Sequence, residues 1–409
     1  MEAEEKQKPD RSWMVPFAAT LFGMMTLQMS SLGFSPLLPA IQEEFSMSYT
    51  QVGFFTGMYG LLALALSVPA GLAAKRYGEK RMLVLALLLV GLGLFTLGRA
   101  PGFFTAFAAR AFWIGAYRFA FVSVLTAIAL TAPPSLKGSS MGLLGSVASL
   151  ASVIGAPFGS KIGEHYGWRT GMTAYACAAV LGSFAVWAFY RQRSRERAKA
   201  PGHAVGGSRD GGRSAYRTPV VWALAVLVGM IGMASFSVTF FVPAAATTTF
   251  KMDAVGASYV ISTGYICAIF LNLLFGYLMD HYNKWIILSS LVVLLIPASL
   301  AMTSGNELVF RIATTVVLAG GFTATNQVYG IAGSVLSGRE MGNVMGMMSL
   351  GAGICGYVGP QMLGLLRDWT KGFSAGWYMM AGIALLTLIE LLFLKRHAEK
   401  NRPERAVEA

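Results

Sequence analysis

Charge is scarce in this sequence. Only 12% of its 409 residues are Asp, Glu, Lys or Arg, about half the share of a soluble globular chain. A soluble protein of that composition needs a very large dry core, and the distribution of apolar residues excludes one. Apolar runs of roughly 18–28 residues recur along the whole chain, each long enough to cross a hydrocarbon layer of about 30 Å at 1.5 Å per helical residue. Peptide groups in lipid find no water to bond, so such runs are helices or a closed barrel. They are continuously apolar rather than alternating, which selects helices.

Other absences narrow the function. Three cysteines, Cys177, Cys267 and Cys355, fall inside apolar runs without metal-like spacing, so they read as small buried hydrophobes rather than ligands. No nucleophile–base set, metal cluster or phosphate cradle is present, which points away from catalysis and from any cofactor. The lack of a nucleotide-binding P-loop argues against ATP-driven pumping. No histidine is expected within a span, and the one acid inside an apolar run is Glu390, near the end of the last run. Proton-driven export of cationic drugs generally needs a membrane-embedded acid, so proton-coupled export of drugs or other apolar compounds is the second reading. A receptor or sensor on the same scaffold lacks a sizeable soluble domain. Residues 1–10 are polar and of mixed charge, unlike a cleavable leader, and the first run is too long for one; it is expected to stay in the membrane.

Twelve spans are predicted, at 13–38, 49–74, 82–98, 103–131, 139–162, 170–190, 219–248, 256–279, 285–303, 307–335, 341–366 and 376–394. Between the sixth and seventh, residues 191–218 carry four arginines from Arg191 to Arg197 and then a Gly/Ser-rich piece, the composition of a flexible linker. The expected division is a six-helix bundle over 1–190, a linker over 191–218 and a second bundle with a tail over 219–409. Of the 32 Lys and Arg, 23 lie in segments on the side of the N-terminus, six on the other side, and Arg110, Arg118 and Arg311 within helices. This bias places both termini in the cytoplasm of an inner membrane. It also accounts for a net charge of +13 without nucleic acid; the bilayer is the expected macromolecular partner.

The halves repeat. Gly71-Leu-Ala-Ala-Lys-Arg-Tyr-Gly78 after the second span mirrors Gly276-Tyr-Leu-Met-Asp-His-Tyr-Asn283 after the eighth, and Gly138-Ser-Ser-Met-Gly mirrors Gly338-Arg-Glu-Met-Gly. Gly155-Ala-Pro157 in the fifth span mirrors Gly359-Pro360 in the eleventh. With a basic central loop, this is the build of one large class of transporters. The chain resembles the major facilitator superfamily over essentially its whole length. The carrying element is the loop signature G-x-x-x-D-R-x-G-[RK]-[RK], matched by Gly71, Arg76 and Gly78, with Lys75 at the acidic position. The second copy keeps the acid as Asp280. In the superfamily that acid caps a helix of the opposite half and latches one face shut, so the resemblance implies that Asp280 meets the start of the fifth helix near Gly138–Met141. Arg110-Ala-Phe-Trp-Ile-Gly115 is similar to the family's R-x-x-x-G element with one extra residue. Gly155, Pro157 and Gly159 resemble the exporters' G-P-x-x-G element; glycines at that spacing also make a flat packing face.

By the same resemblance, spans one, four, seven and ten line a central cavity. Arg118 falls at the middle of the fourth. A central arginine facing lipid costs from about 2.5 to over 10 kcal/mol, no acid lies at its depth, and a guanidinium offers a carboxylate two parallel hydrogen bonds. The competing reading is a structural arginine on backbone carbonyls. Gln28, Tyr117, Tyr265, Asn326 and Gln327 are candidate polar contacts, although neighbours such as Asn326 and Gln327 point about 100° apart and cannot both face one cavity. Arg110 and Arg311, near the ends of spans four and ten, are candidate vestibule charges; both can also snorkel. Gly71, Arg76, Gly78, Asp280, Gly155, Pro157 and Pro360 are the expected gating positions, with Gly33, Pro36, Pro39, Gly232 and Pro243 as bends. These residues together predict an all-α membrane protein of two pseudo-symmetric six-helix bundles that carries a small organic or inorganic anion. A proton riding on the substrate acid, a boundary acid such as Glu43, Glu44 or Glu390, or plain exchange are the coupling routes left open.

Overall fold

The computed structural model describes residues 13–131, 137–190, 219–335 and 341–400. Twelve long helices account for nearly all of them. The first spans Met14–Glu44 (α1), interrupted by a 3-10 turn at Ser35–Leu37, where Pro36 and Pro39 remove backbone donors. Then come α2 (Tyr49–Tyr77), α3 (Glu79–Gly98), α4 (Phe103–Thr131), α5 (Lys137–Tyr166), α6 (Trp168–Phe189), α7 (Pro219–Phe250), α8 (Ala254–His281), α9 (Lys284–Ala301), α10 (Glu307–Val335), α11 (Met341–Thr370) and α12 (Ser374–Lys400). Eleven of these are long and apolar enough to cross a membrane among the described residues. The twelfth, α11, is 30 residues long but holds seven glycines, which contribute length without apolar side chains.

Within the first half, α3 packs on α4 and α6, and α1 on α5 and α6; in the second, α9 packs on α10 and α12, and α7 on α10 and α11. The halves meet where α2 lies against α11 and α5 against α8. The α2–α11 seam is backbone on backbone. A methyl group at Gly57 would come within 2.7 Å of the Tyr357 carbonyl oxygen, and one at Gly53 within 2.6 Å of that of Pro360. Glycine at these positions lets the two helices touch directly.

The seam is one-sided. Next to the α1–α2 and α11–α12 turns it is shut. Asp368 of α11 accepts from the backbone N–H of Tyr49 at 2.9 Å and of Thr50 at 2.7 Å, and from the Thr50 hydroxyl at 2.6 Å. A carboxylate from one half thus sits on the orphan donors at the start of a helix of the other, which α2's positive end favours. Ser35 adds a bond to the Thr239 carbonyl of α7. At the opposite face, which carries the α2–α3 and α8–α9 turns and both described ends of the chain, α2 splays away: Val68 is 71% and Leu72 64% exposed, and a Cβ at Gly71 or Gly276 would meet nothing within 4 Å. The molecule is a wedge, sealed on one face and open on the other.

Candidate functional site

Near the apex of the wedge five aromatic rings cross from one half to the other. Tyr117 of α4 lies 5.5 Å from Tyr59 of α2, Tyr59 lies 5.6 Å from Phe236 of α7, Phe236 lies 6.4 Å from Phe322 of α10, and Phe322 lies 4.9 Å from Tyr265 of α8. The end rings, Tyr117 and Tyr265, are buried. The three middle ones are half-buried. Spacings of 4.5–7 Å are those that aromatic quadrupoles favour.

Arg118 sits against this row in the first half. Its guanidinium carbon lies 4.3 Å from the Tyr59 ring centre, and Nη2 donates a long bond, 3.4 Å, to the Tyr59 carbonyl. Nε is buried without a protein partner, as is Nη1 of Arg110, and among the described residues no carboxylate pairs with the Arg118 side chain. Tyr117 donates to Gln28 Oε1 of α1 and receives from Tyr59 at 3.3 Å. Gln28, Tyr117 and Arg118 are therefore brought together, on three helices with Tyr59. Tyr265 lies across the seam, its hydroxyl 3.4 Å from that of Thr239. Asn326 donates to Asn272 Oδ1 at 3.0 Å, and Asn272 donates in turn to the Ala268 carbonyl at 2.7 Å. Asn326 is exposed while its neighbour Gln327 is half-buried, as their angular offset requires.

The other two intramembrane arginines lie elsewhere. Arg110 is 1% exposed, with its guanidinium carbon 4.1 Å from the Phe34 ring centre, 4.3 Å from Trp113 and 5.7 Å from Phe55. Nε reaches the Phe55 carbonyl at 3.5 Å. This cage of ring faces holds a desolvated cation directly beneath the break in α1, and it is closed in this conformation. Arg311 pairs with Glu307 one turn away, Nε to Oε1 at 2.8 Å, and lines a shallow groove with Tyr259, Thr263 and Thr315 near the sealed face. Glu44 is engaged by Trp168 Nε1 at 2.6 Å and by Arg169, whereas Glu390 keeps one oxygen without a protein partner.

Of the expected gating positions, Gly78 has φ of +90° and forms the turn between α2 and α3; an L side chain there is strained. Arg76 stacks on its neighbour Tyr77 at 5.4 Å. Gly155 accepts from the Tyr175 hydroxyl at 2.6 Å, and a methyl there would meet the Met29 carbonyl oxygen at 2.7 Å, so this element packs α5 on α1 and α6. Pro157 and Pro360 lie inside α5 and α11, Pro360 directly on the seam. The side chains of Asp280 and Gly138–Met141, and the linker 191–218, lie outside the described residues.

Tyr59, Phe236 and Phe322 were not singled out in the sequence. Tyr59 lies on a helix that the family pattern does not count among the cavity walls, and a phenylalanine within an apolar run reads as packing. Their signal was mid-depth position on helices flanking the seam.

The profile of the Major Facilitator Superfamily matches residues 20–324 and 230–409, and the chain belongs to that family. It is 23% identical over 420 residues to the "Putative tartrate transporter" of Agrobacterium vitis, a match covering 95% of this chain and 90% of that one. It is 26% identical over 200 residues to the "Uncharacterized transporter YybO" of Bacillus subtilis strain 168, covering 48% of this chain and 45% of that protein's length. The inward-facing, unoccupied structure of a bacterial homologue of the human lysosomal transporter Spinster shares the fold, with a TM-score of 0.83 at 13% identity over 98% of this chain and 100% of that one. The protein is a multi-pass secondary transporter built as two six-helix bundles, and its relatives are transporters rather than enzymes.

Proposed function

We propose that this carrier moves a small anion, a carboxylate in the leading case, by rocking its two bundles about the aromatic row, with Arg118 holding the negative group. One observation carries the reading: at mid-bilayer Arg118 faces the seam with a single long bond to a carbonyl, an unbonded Nε, and no described carboxylate beside it. Such a cation is costly in the membrane unless a counter-charge arrives. Its ring contact with Tyr59 steers the planar fork and leaves N–H groups for two parallel bonds to a carboxylate. The relative named for tartrate is consistent with an anionic cargo. Among the described residues no acid lies beside Arg118 to carry a coupled proton, which favours a proton travelling on the substrate acid over cation–drug exchange. The Lys and Arg bias supports an inner-membrane protein with its open face and both termini toward the cytoplasm; a fluorescent or phosphatase reporter fused to the C-terminus tests that side.

In liposomes holding the purified protein, labelled carboxylates should enter saturably and an added lipophilic cation should not compete. Arg118→Ala should lower uptake on the order of 10–100-fold, the range for losing charge-assisted bonds of about 1.5–3 kcal/mol, and Arg118→Lys should restore part of it. Normal anion uptake by Arg118→Ala would sink the assignment.

A further inference from the structure

The site offers one usable positive charge and a broad ring surface, and that imbalance says what the rest of the cargo is. We infer that the preferred substrate is a monocarboxylate with a planar apolar body, an aromatic acid, whose ring lies on Phe236 and Phe322 while its carboxylate meets Arg118. The inference rests on Arg118 as the anion seat and adds what surrounds it.

Three observations carry it. First, a dicarboxylate needs a second cation. Among the described residues the helical cations nearest the seam are Arg110, enclosed by three rings at 1% exposure, Arg311, paired to Glu307 near the sealed face, and Arg367, laid on the Tyr49 and Phe373 rings at the sealed end. None of the three stacks on the aromatic row. Second, Phe236 and Phe322 continue the row beyond the Tyr59 ring as half-buried side chains without polar atoms, and aromatic rings favour another ring in offset or edge contact. Third, there is room beside the rings. Gly232 lies one turn from Phe236 on the same face of α7, and a Cβ added to it would meet nothing within 4 Å, although the residue is buried. Asn326, one turn from Phe322 on α10, brings a neutral amide already held by Asn272, a group that tolerates a ring substituent but adds no charge.

The test uses the full chain in liposomes at pH 7.5, with protein-free liposomes subtracted and three labelled probes: benzoate, acetate and tartrate. Wild type should take up benzoate with a KM at least about ten-fold below that for acetate or tartrate. Phe322→Ala and Phe236→Ala should raise the benzoate KM at least about five-fold more than they raise the acetate KM, whatever they do to the turnover shared by both probes. Gly232→Leu, which fills the room beside the rings, should do the same by exclusion. As a second readout, benzoate should raise the melting temperature of wild type and of Phe322→Leu more than that of Phe322→Ala, since binding to the folded state alone stabilises it. If Arg118→Gln transports all three probes normally, the anion seat falls and this inference with it. If Arg118→Gln is inactive but tartrate or acetate is preferred over benzoate, or the ring variants shift every probe equally, the anion seat stands and the aromatic-acid inference is overturned. Absence of saturable benzoate uptake by wild type also overturns it.

Discussion

The two ends of the α2–α11 seam are made by the same pair of helices and differ in almost everything else. Toward the sealed face, Gly53, Gly57 and Gly60 of α2 meet Pro360, Tyr357 and Gly353 of α11. The ring of Tyr49 packs edge-on to Phe373 at 5.5 Å, the Arg367 guanidinium lies 4.6 Å from the Tyr49 ring centre, and Asp368 closes the end with three bonds. Toward the open face, α2 continues through Leu72 and Gly71 with no neighbour across the gap. Lipid tails are as apolar as leucine, so apolar side chains alone do not pull helices together in a membrane. Contact follows from backbone proximity and from satisfied polar groups. The sealed end has both.

The largest effect should come from wedging the seam. Gly57→Leu places a branched side chain where even a methyl would lie 2.7 Å from a backbone oxygen, an overpacking cost of about 1–3 kcal/mol or more. The variant should melt lower in detergent and lose most transport. An unchanged melting temperature with normal uptake would mean that the helices do not touch there during turnover. A smaller effect is expected from Asp368→Asn, which keeps one acceptor but removes the charge at the start of α2. A loss of about 1–2 kcal/mol for the sealed state should shift the resting population roughly 5–30-fold toward the conformation open on the other face. Gly71→Cys, in a background with Cys177, Cys267 and Cys355 replaced by alanine, reports this directly. It continues the register of Gly53, Gly57 and Gly60 and has free space around it, so it should react with a polar thiol reagent from the open face. Adding Asp368→Asn should slow that reaction; an equal rate would remove Asp368 from the latch.

The spans were legible because lipid leaves helices no alternative, and the repeat exposed the two halves. Helix ends were less so. α2 runs three residues past its predicted end to Tyr77, and α5 and α8 run on to Tyr166 and His281. His165 and His281, expected in polar loops, lie in the last helical turns, because hydropathy marks the hydrocarbon layer whereas hydrogen bonding carries a helix beyond it. The candidate site was half legible. Arg118, Gln28 and Tyr117 stand out as polar residues in apolar runs and converge. Arg110 stands out by the same rule, yet its surroundings are rings, which no linear pattern distinguishes from ordinary packing. Asp368 reads as a loop acid, and its partners are more than 300 positions away in the chain.

By itself the chain determined that it crosses a membrane many times as two related halves, since a scarcity of charge and recurring apolar length admit no other solution in lipid. Tertiary structure alone decided which face is shut, that Arg110 is caged by rings while Arg118 lies against Tyr59, and that the rings of Tyr59, Phe236 and Phe322 run on from it across the seam. Those outcomes depend on how side chains from different helices meet, and meeting depends on backbone approach set by a handful of glycines, information that is distributed over the fold and carried by no single segment.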